Sequence, residues 1–153
     1  MIDAFIDVLE TFPRGLVYVG MSVILLAFAR LVQDVFTPYR IQEQLRTHDN
    51  VALAASIAGY YFGIVIVFLG AIYQPFNTIL DSNMGFTSDY WVDVLTVFVT
   101  TIIGILLLNI ARIIVDRLVL YKFSTEKEII EDRNTGTGVI EAAVYISVSL
   151  VIA

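Results

Sequence analysis

The chain has no cysteine, which excludes disulfide frameworks, thiolate metal sites and cysteine nucleophiles together. Its single histidine, His48, excludes a zinc site built on imidazoles. Basic residues are few: 9 Lys and Arg stand against 15 Asp and Glu, and the net charge of −6 argues against nucleic acid as a partner. A basic N-terminal segment is missing as well. Asp3, Asp7 and Glu10 occupy the place where a cleavable signal sequence carries its positive charge, so the first apolar run is expected to do the targeting. No Ser/His/Asp grouping and no set of metal ligands occurs. "NTGTG" at 134–138 lacks both the preceding strand and the Walker lysine of a phosphate loop. No enzyme activity, metal or cofactor is expected. Charge of either sign is scarce at 16%, whereas 58% of residues are hydrophobic. The mean hydropathy of +0.83 is far above what a soluble domain needs to close a core.

What the chain does contain is long apolar runs, and they predict an integral membrane protein. A hydrocarbon core of about 30 Å takes roughly 20 residues of helix. Runs of that length occur at Leu16–Val35, Val51–Tyr73, Phe98–Arg117 and Thr135–Ala153. The first and third carry charges only in their last turns. The fourth ends at Ala153 with no aromatic or charged anchor, the pattern of a truncated span. The predicted fold is all-α, a polytopic membrane helix bundle with four transmembrane helices. Its predicted layout is an N-terminal tail (1–15), a first pair of spans (16–73), a loop (74–90) and a second pair of spans (91–153).

Eight of the nine basic residues lie at or after the ends of spans one and three. The segment 74–90 has Asp81 and Asp89 but no Lys or Arg. The positive-inside bias therefore places both basic loops in the cytoplasm and both termini outside. Tyr73, Tyr90 and Trp91 at one edge, with Tyr39 and Tyr121 at the other, stand where aromatic belts form.

The two span pairs also resemble each other. "VILLAFARLVQDVF" at 23–36 overlays "ILLLNIARIIVDRL" at 105–118, placing Arg30 on Arg112 and Asp34 on Asp116. After a slip of two residues the match resumes with Asn50 on Asn134 and Tyr61 on Tyr145. Each unit holds two spans, so both units start on the same side of the membrane. This is a parallel two-fold repeat, unlike the inverted repeats of many transporters. Asn50 and Asn134 open the second helix of each unit as N-caps, their side chains accepting from free backbone N–H groups.

Two tandem two-helix units, each with Asn and small residues at the opening of its second helix, carry a family resemblance. "DNVALAASIAGYYFGIVIVFLGAI" and "DRNTGTGVIEAAVYISVSLVIA" resemble the paired segments of the bacterial inner-membrane family catalogued as domain of unknown function 350. The resemblance covers almost the whole chain. It implies a four-span protein of the bacterial inner membrane, and it implies no biochemical activity.

Six intramembrane polar residues are candidates for function: Arg30, Asp34, Asn109, Arg112, Asp116 and Glu141. Arg30 and Arg112 lie roughly 7 Å from the ends of their spans, within the reach of a snorkelling side chain. Snorkelling leaves the aspartates unexplained, because the macrodipole disfavours negative charge at a helix carboxyl end. One reading pairs Arg of one repeat with Asp of the other, within the chain or between subunits. Glu141 is about 9–10 Å into its span, where an ionisable group calls for a partner or a polar interior. The first repeat has Ile57 in its place. Either a structural pairing with Arg112 or a neighbour, or the handling of a proton or cation, would account for it, with Asn109 as a companion. Ala52, Ser56, Gly59, Gly63 and Gly70 form a stripe of small residues that admits a close helix neighbour, and Ala143 with Ser147 repeats it on the fourth span.

Two functions fit. One is an oligomeric scaffold or partner subunit of a membrane complex, self-associating in the bilayer and receiving cytoplasmic proteins at its basic loops. The other is a small channel or transporter with a polar route between the repeats through Glu141 and the Arg/Asp pairs. The scarcity of polar residues in the spans favours the first.

Overall fold

The apolar runs fold as helices, which pair the backbone N–H and C=O groups of their interiors within the segment, as a lipid-spanning chain requires. The computed structural model describes residues 2–37, 39–79, 88–118 and 124–153; within these, the side chains at 2–11, 74–79, 88–89, 116 and 118 are excepted. In chain order the elements are α1 (Ile2–Phe36), α2 (Ile41–His48), α3 (Val51–Ile79), α4 (Ser88–Leu118), α5 (Thr125–Ile130) and α6 (Thr135–Ile152). Four of them hold segments long and apolar enough to cross a membrane: Phe12–Phe36, Val51–Tyr73, Tyr90–Val115 and Thr135–Ile152. Several boundaries differ from the sequence expectation, most of all at the starts of the first and third segments. The region set aside as a tail is helical from Ile2 onward, and the third apolar segment starts at Tyr90 rather than Phe98. Polar composition marks where a helix leaves the apolar phase, whereas its hydrogen-bond ladder runs on past that point.

α3 is the central element and packs against all the other helices. Leu25 and Ala29 from α1, Tyr60 and Ile64 from α3, Val97, Ile105 and Leu108 from α4, and Tyr145 from α6 build the core. Between lipid-immersed helices there is no water to expel, so close van der Waals packing has to supply the attraction. The tightest seam is between α3 and α6, which run parallel. A Cβ at Gly138 would overlap the backbone of Ala52, and one at Gly59 would overlap Ala142. The seam continues where Gly63 meets the Tyr145 carbonyl and the Ser149 side chain. Of the small-residue stripe, Ala52, Ser56, Gly59 and Gly63 are buried and Gly70 is half-buried against Ala153.

Ala143 and Ser147, which the repeat pattern places on the same seam, are instead exposed. The reason is rotational. At 100° per residue, positions 138, 142, 145 and 149 all fall within 100° of Glu141, whereas 143 and 147 point to the opposite side. Turning Glu141 inward puts the first group on α3 and leaves Ala143 and Ser147 facing outward.

At one end of the bundle the two connecting segments fold onto each other. Asn50 Oδ1 accepts from the Leu53 N–H at 3.0 Å, and its Nδ2 donates to the Ile129 carbonyl at 2.7 Å, joining the start of α3 to α5. Asn134 Oδ1 accepts from the Gly136 N–H at 3.0 Å, and its Nδ2 donates to Glu128. The residue before each Asn is left-handed, Asp49 at φ 46° and Arg133 at φ 50°. Each Asn backbone N–H then reaches back six residues, to the carbonyls of Gln44 and Glu128. Ala52, Leu53 and Ile129 close a small core beneath this platform. At the far end Tyr90 of α4 packs edge-on against Tyr18 of α1, with the Arg14 guanidinium over its ring.

Candidate functional site

Three helices and the turn after α1 bring polar side chains together one and a half turns in from the platform. Ser56 is the sixth residue of α3 and Glu141 the seventh of α6, so the parallel seam places them level with each other. The Ser56 hydroxyl donates to Glu141 Oε2 at 2.5 Å. From α4, Arg112 Nε approaches Glu141 Oε1 at 2.6 Å, an ion pair whose side chains are 12% and 2% exposed. The Arg112 guanidinium also makes a hydrogen bond to the Tyr39 hydroxyl at the foot of α1. Burial pushes the Tyr39 phenol above its ordinary range, with Arg112 opposing the shift, so it stays neutral at physiological pH. Burying two charges is costly unless each is paired and hydrogen-bonded. Ser56 and Tyr39 supply those further bonds.

One turn deeper, the Tyr60 hydroxyl donates to the Ala29 carbonyl at 3.0 Å and accepts from Asn109 Nδ2 at 2.9 Å. Asn109 also donates to the Ile105 carbonyl of its own helix at 2.8 Å. Tyr145 lies edge-on to Tyr60, ring centres 5.1 Å apart, in the field of Arg112 and Glu141. Asn109 Oδ1 and the Tyr145 hydroxyl are buried and have no hydrogen-bond partner among the described residues. The cluster thus ties α1, α3, α4 and α6 over two successive turns. Its single carboxylate is committed to Arg112 and Ser56, and no group of three or more His, Asp or Glu able to hold a metal occurs among the described residues.

The predicted site residues divide between this cluster and the surface. Asn109, Arg112 and Glu141 are brought together. Arg30 and Asp34 are exposed on α1 and have no ion-pair or hydrogen-bond partner among the described residues. The predicted exchange of Arg and Asp between the repeats is therefore not made within the chain for this pair: Arg112 takes Glu141, and Asp34 faces away. The apolar stripe Met21, Leu25, Ala29 and Val32 turns α1 into the core and carries Arg30 and Asp34 outward. Asp116 lies in α4 with its side chain outside the described residues. Three contributors escaped the sequence reading. Ser56 counted only as a small residue, Tyr39 only as an interfacial aromatic, and Tyr60 was masked by the alignment of Tyr61 with Tyr145. A tyrosine hydroxyl inside an apolar span was the available signal, since such a group needs a partner.

Four apolar spans around a closed polar cluster define an integral, multi-pass, all-α membrane protein. Within that class the chain belongs to the family described as Domain of Unknown Function (DUF350), which it matches over residues 7–153. No curated protein and no solved structure matches it.

Proposed function

We propose that this protein is a non-enzymatic structural subunit of an assembly in the bacterial inner membrane, self-associating in the bilayer and receiving a protein partner on its cytoplasmic platform. The observation that carries this reading is the joining of the two connecting segments through Asn50 and Ile129, which makes one ordered surface of what would otherwise be two loose loops. That surface exposes charges of both signs, including Arg40, Arg46, Lys127, Glu131 and Asp132. Five of the nine Lys and Arg residues fall in these segments and none in 74–90, a bias that supports a cytoplasmic platform and outward termini. Below it, the Arg112–Glu141 pair is neutralised within the bundle, which favours a static tie over a conduit. Ala143 and Ser147 give α6 an outward strip of small side chains suited to a second copy.

The topology is tested with single cysteines in this cysteine-free chain. Ser82→Cys labels from outside intact cells and Gln44→Cys does not; the reverse pattern overturns the orientation. The role is tested by native mass spectrometry and by proteoliposome flux. The scaffold reading expects a defined oligomer and electrically silent vesicles. A monomer, or a wild-type conductance that Glu141→Gln abolishes, overturns it. The latter result favours the channel or transporter reading, for which the unpartnered Asn109 Oδ1 and Tyr145 hydroxyl are the specific support.

A further inference from the structure

The unpaired charges of α1 stand at the end of a groove. Between α1 and α3, on the outer surface of the bundle, Leu26, Ala27, Ala58, Phe62 and Val65 line an open apolar cleft of about 640 Å³, and Arg30 lies at the end nearest the platform. Beyond Arg30 a second, polar cavity of similar size opens under α2, lined by Asp34, Arg40, Glu43 and Arg46 among others. Moving along α1 toward the membrane surface, one passes an apolar channel, then a guanidinium, then a carboxylate one turn further on.

A charge at membrane depth is expensive and usually finds a partner. In the second repeat the chain provides one for Arg112. For Arg30 and Asp34 it provides none among the described residues, and the bilayer that surrounds α1 can supply them. Lipid phosphate is the anion that the bilayer offers within reach of a snorkelling Arg30. Snorkelling to any phosphate would satisfy Arg30, but not Asp34. That carboxylate lies about 6 Å nearer the water by helical rise, at a helix carboxyl end where negative charge is disfavoured. It calls for a cation just beyond the phosphate. We infer that this surface is a binding site for an ethanolamine phospholipid, with an acyl chain in the α1/α3 groove, the phosphate on Arg30 and the primary ammonium on Asp34. The order of groups along the lipid, chain then phosphate then amine, is the order of the complementary groups along α1. A purely anionic headgroup would meet the arginines but would set its charge against Asp34 and Glu43. A choline headgroup has no N–H to donate to Asp34. The site is independent of the scaffold reading and of which side of the membrane the platform faces.

The test is a lipid titration of the detergent-solubilised, delipidated protein followed by native mass spectrometry, using dioleoyl phosphatidylethanolamine, phosphatidylcholine and phosphatidylglycerol separately. The ethanolamine lipid is expected to be retained at roughly tenfold lower concentration than the other two, the worth of one charge-assisted hydrogen bond. Asp34→Asn should remove its advantage over the choline lipid, and Arg30→Gln should weaken retention of all three. Both positions are on the surface, and the wild-type comparison stands without either variant. Equal retention of the three lipids overturns the proposal, leaving Arg30 a non-selective anchor. So does a preference that survives Asp34→Asn, or a groove closed by a second copy of the chain, seen as efficient disulfide dimers of Phe62→Cys in the membrane.

Discussion

Arg30 and Arg112 sit in nearly the same fourteen-residue sequence, yet one is an exposed charge beside a groove and the other half of a buried ion pair. Part of the difference lies in the helices that carry them: α1 buries Leu25 and Ala29, whereas α4 buries Leu108 and Asn109 and leaves Leu107, the residue aligned with Leu25, exposed. The neighbouring helix differs as well, since α6 has Glu141 where α3 has Ile57 at the aligned position, turned toward the Leu53–Ile129 cluster. One carboxylate turns α6, draws Arg112 inward and closes that half of the bundle. Its absence leaves the first half open to lipid. The role of the shared sequence pattern is therefore set by the rotation of its own helix together with the helix it meets.

The largest expected effect comes from removing the carboxylate that makes the difference. Glu141→Ala leaves Arg112 buried and unpaired and should cost about 3–5 kcal/mol, read as a large loss of folded protein and a lowered Tm in detergent. Adding Arg112→Leu should recover most of it, and Arg30→Leu alone should cost little. Comparable losses for Arg30→Leu and Arg112→Leu would erase the distinction between the repeats.

Next come Gly59 and its counterpart Ala143. Gly59→Leu drives a side chain into the Ala142 backbone, and overpacking of this kind costs typically 1–3 kcal/mol or more. Ala143→Leu points outward, so it should leave thermal stability of the single chain unchanged and register only in the oligomer distribution.

The two caps should differ by a smaller margin. Asn50 is buried and bonds both Leu53 and Ile129, so Asn50→Ala should cost about 2 kcal/mol, and the exposed Asn134→Ala about 1 kcal/mol or less. Equal losses in thermal unfolding would mean that the Asn50–Ile129 tie adds nothing. Smallest is the transplant. Ala58→Glu puts a carboxylate into the groove beside Arg30 and should give a coupling with Arg30→Leu of about 1 kcal/mol in a double-mutant cycle, while lowering retention of the ethanolamine lipid. Additive effects would show that Arg30 cannot be paired from α3.

Helix number and position were legible because length and apolarity alone define a span, and both Asn residues could be placed because capping chemistry is local. The intramembrane polar residues could be named for the same reason: Glu141 and Asn109 are conspicuous against their surroundings. Rotation about each helix axis was not legible. Spans that are apolar on every side have no face to read, so nothing in the composition of α6 shows that Ala142 rather than Ala143 meets Gly59. The choice of partner for Arg112 depends on that rotation, which is why Asp34 and Glu141 looked equally available to it.

The seam of α3 on α6 also has a bearing on how the bundle is made. Its contacts join residue 52 to residue 138 and residue 59 to residue 142, so it cannot close until α6 has followed the other three spans into the bilayer. Until then the notch at Gly59 is open and Arg112 lacks its counter-charge. The arrival of a single helix then fills the notch, caps the charge and draws the platform together in one step. Quality control in the membrane would meet these four spans as either unlatched or latched, with the latch carried by α6.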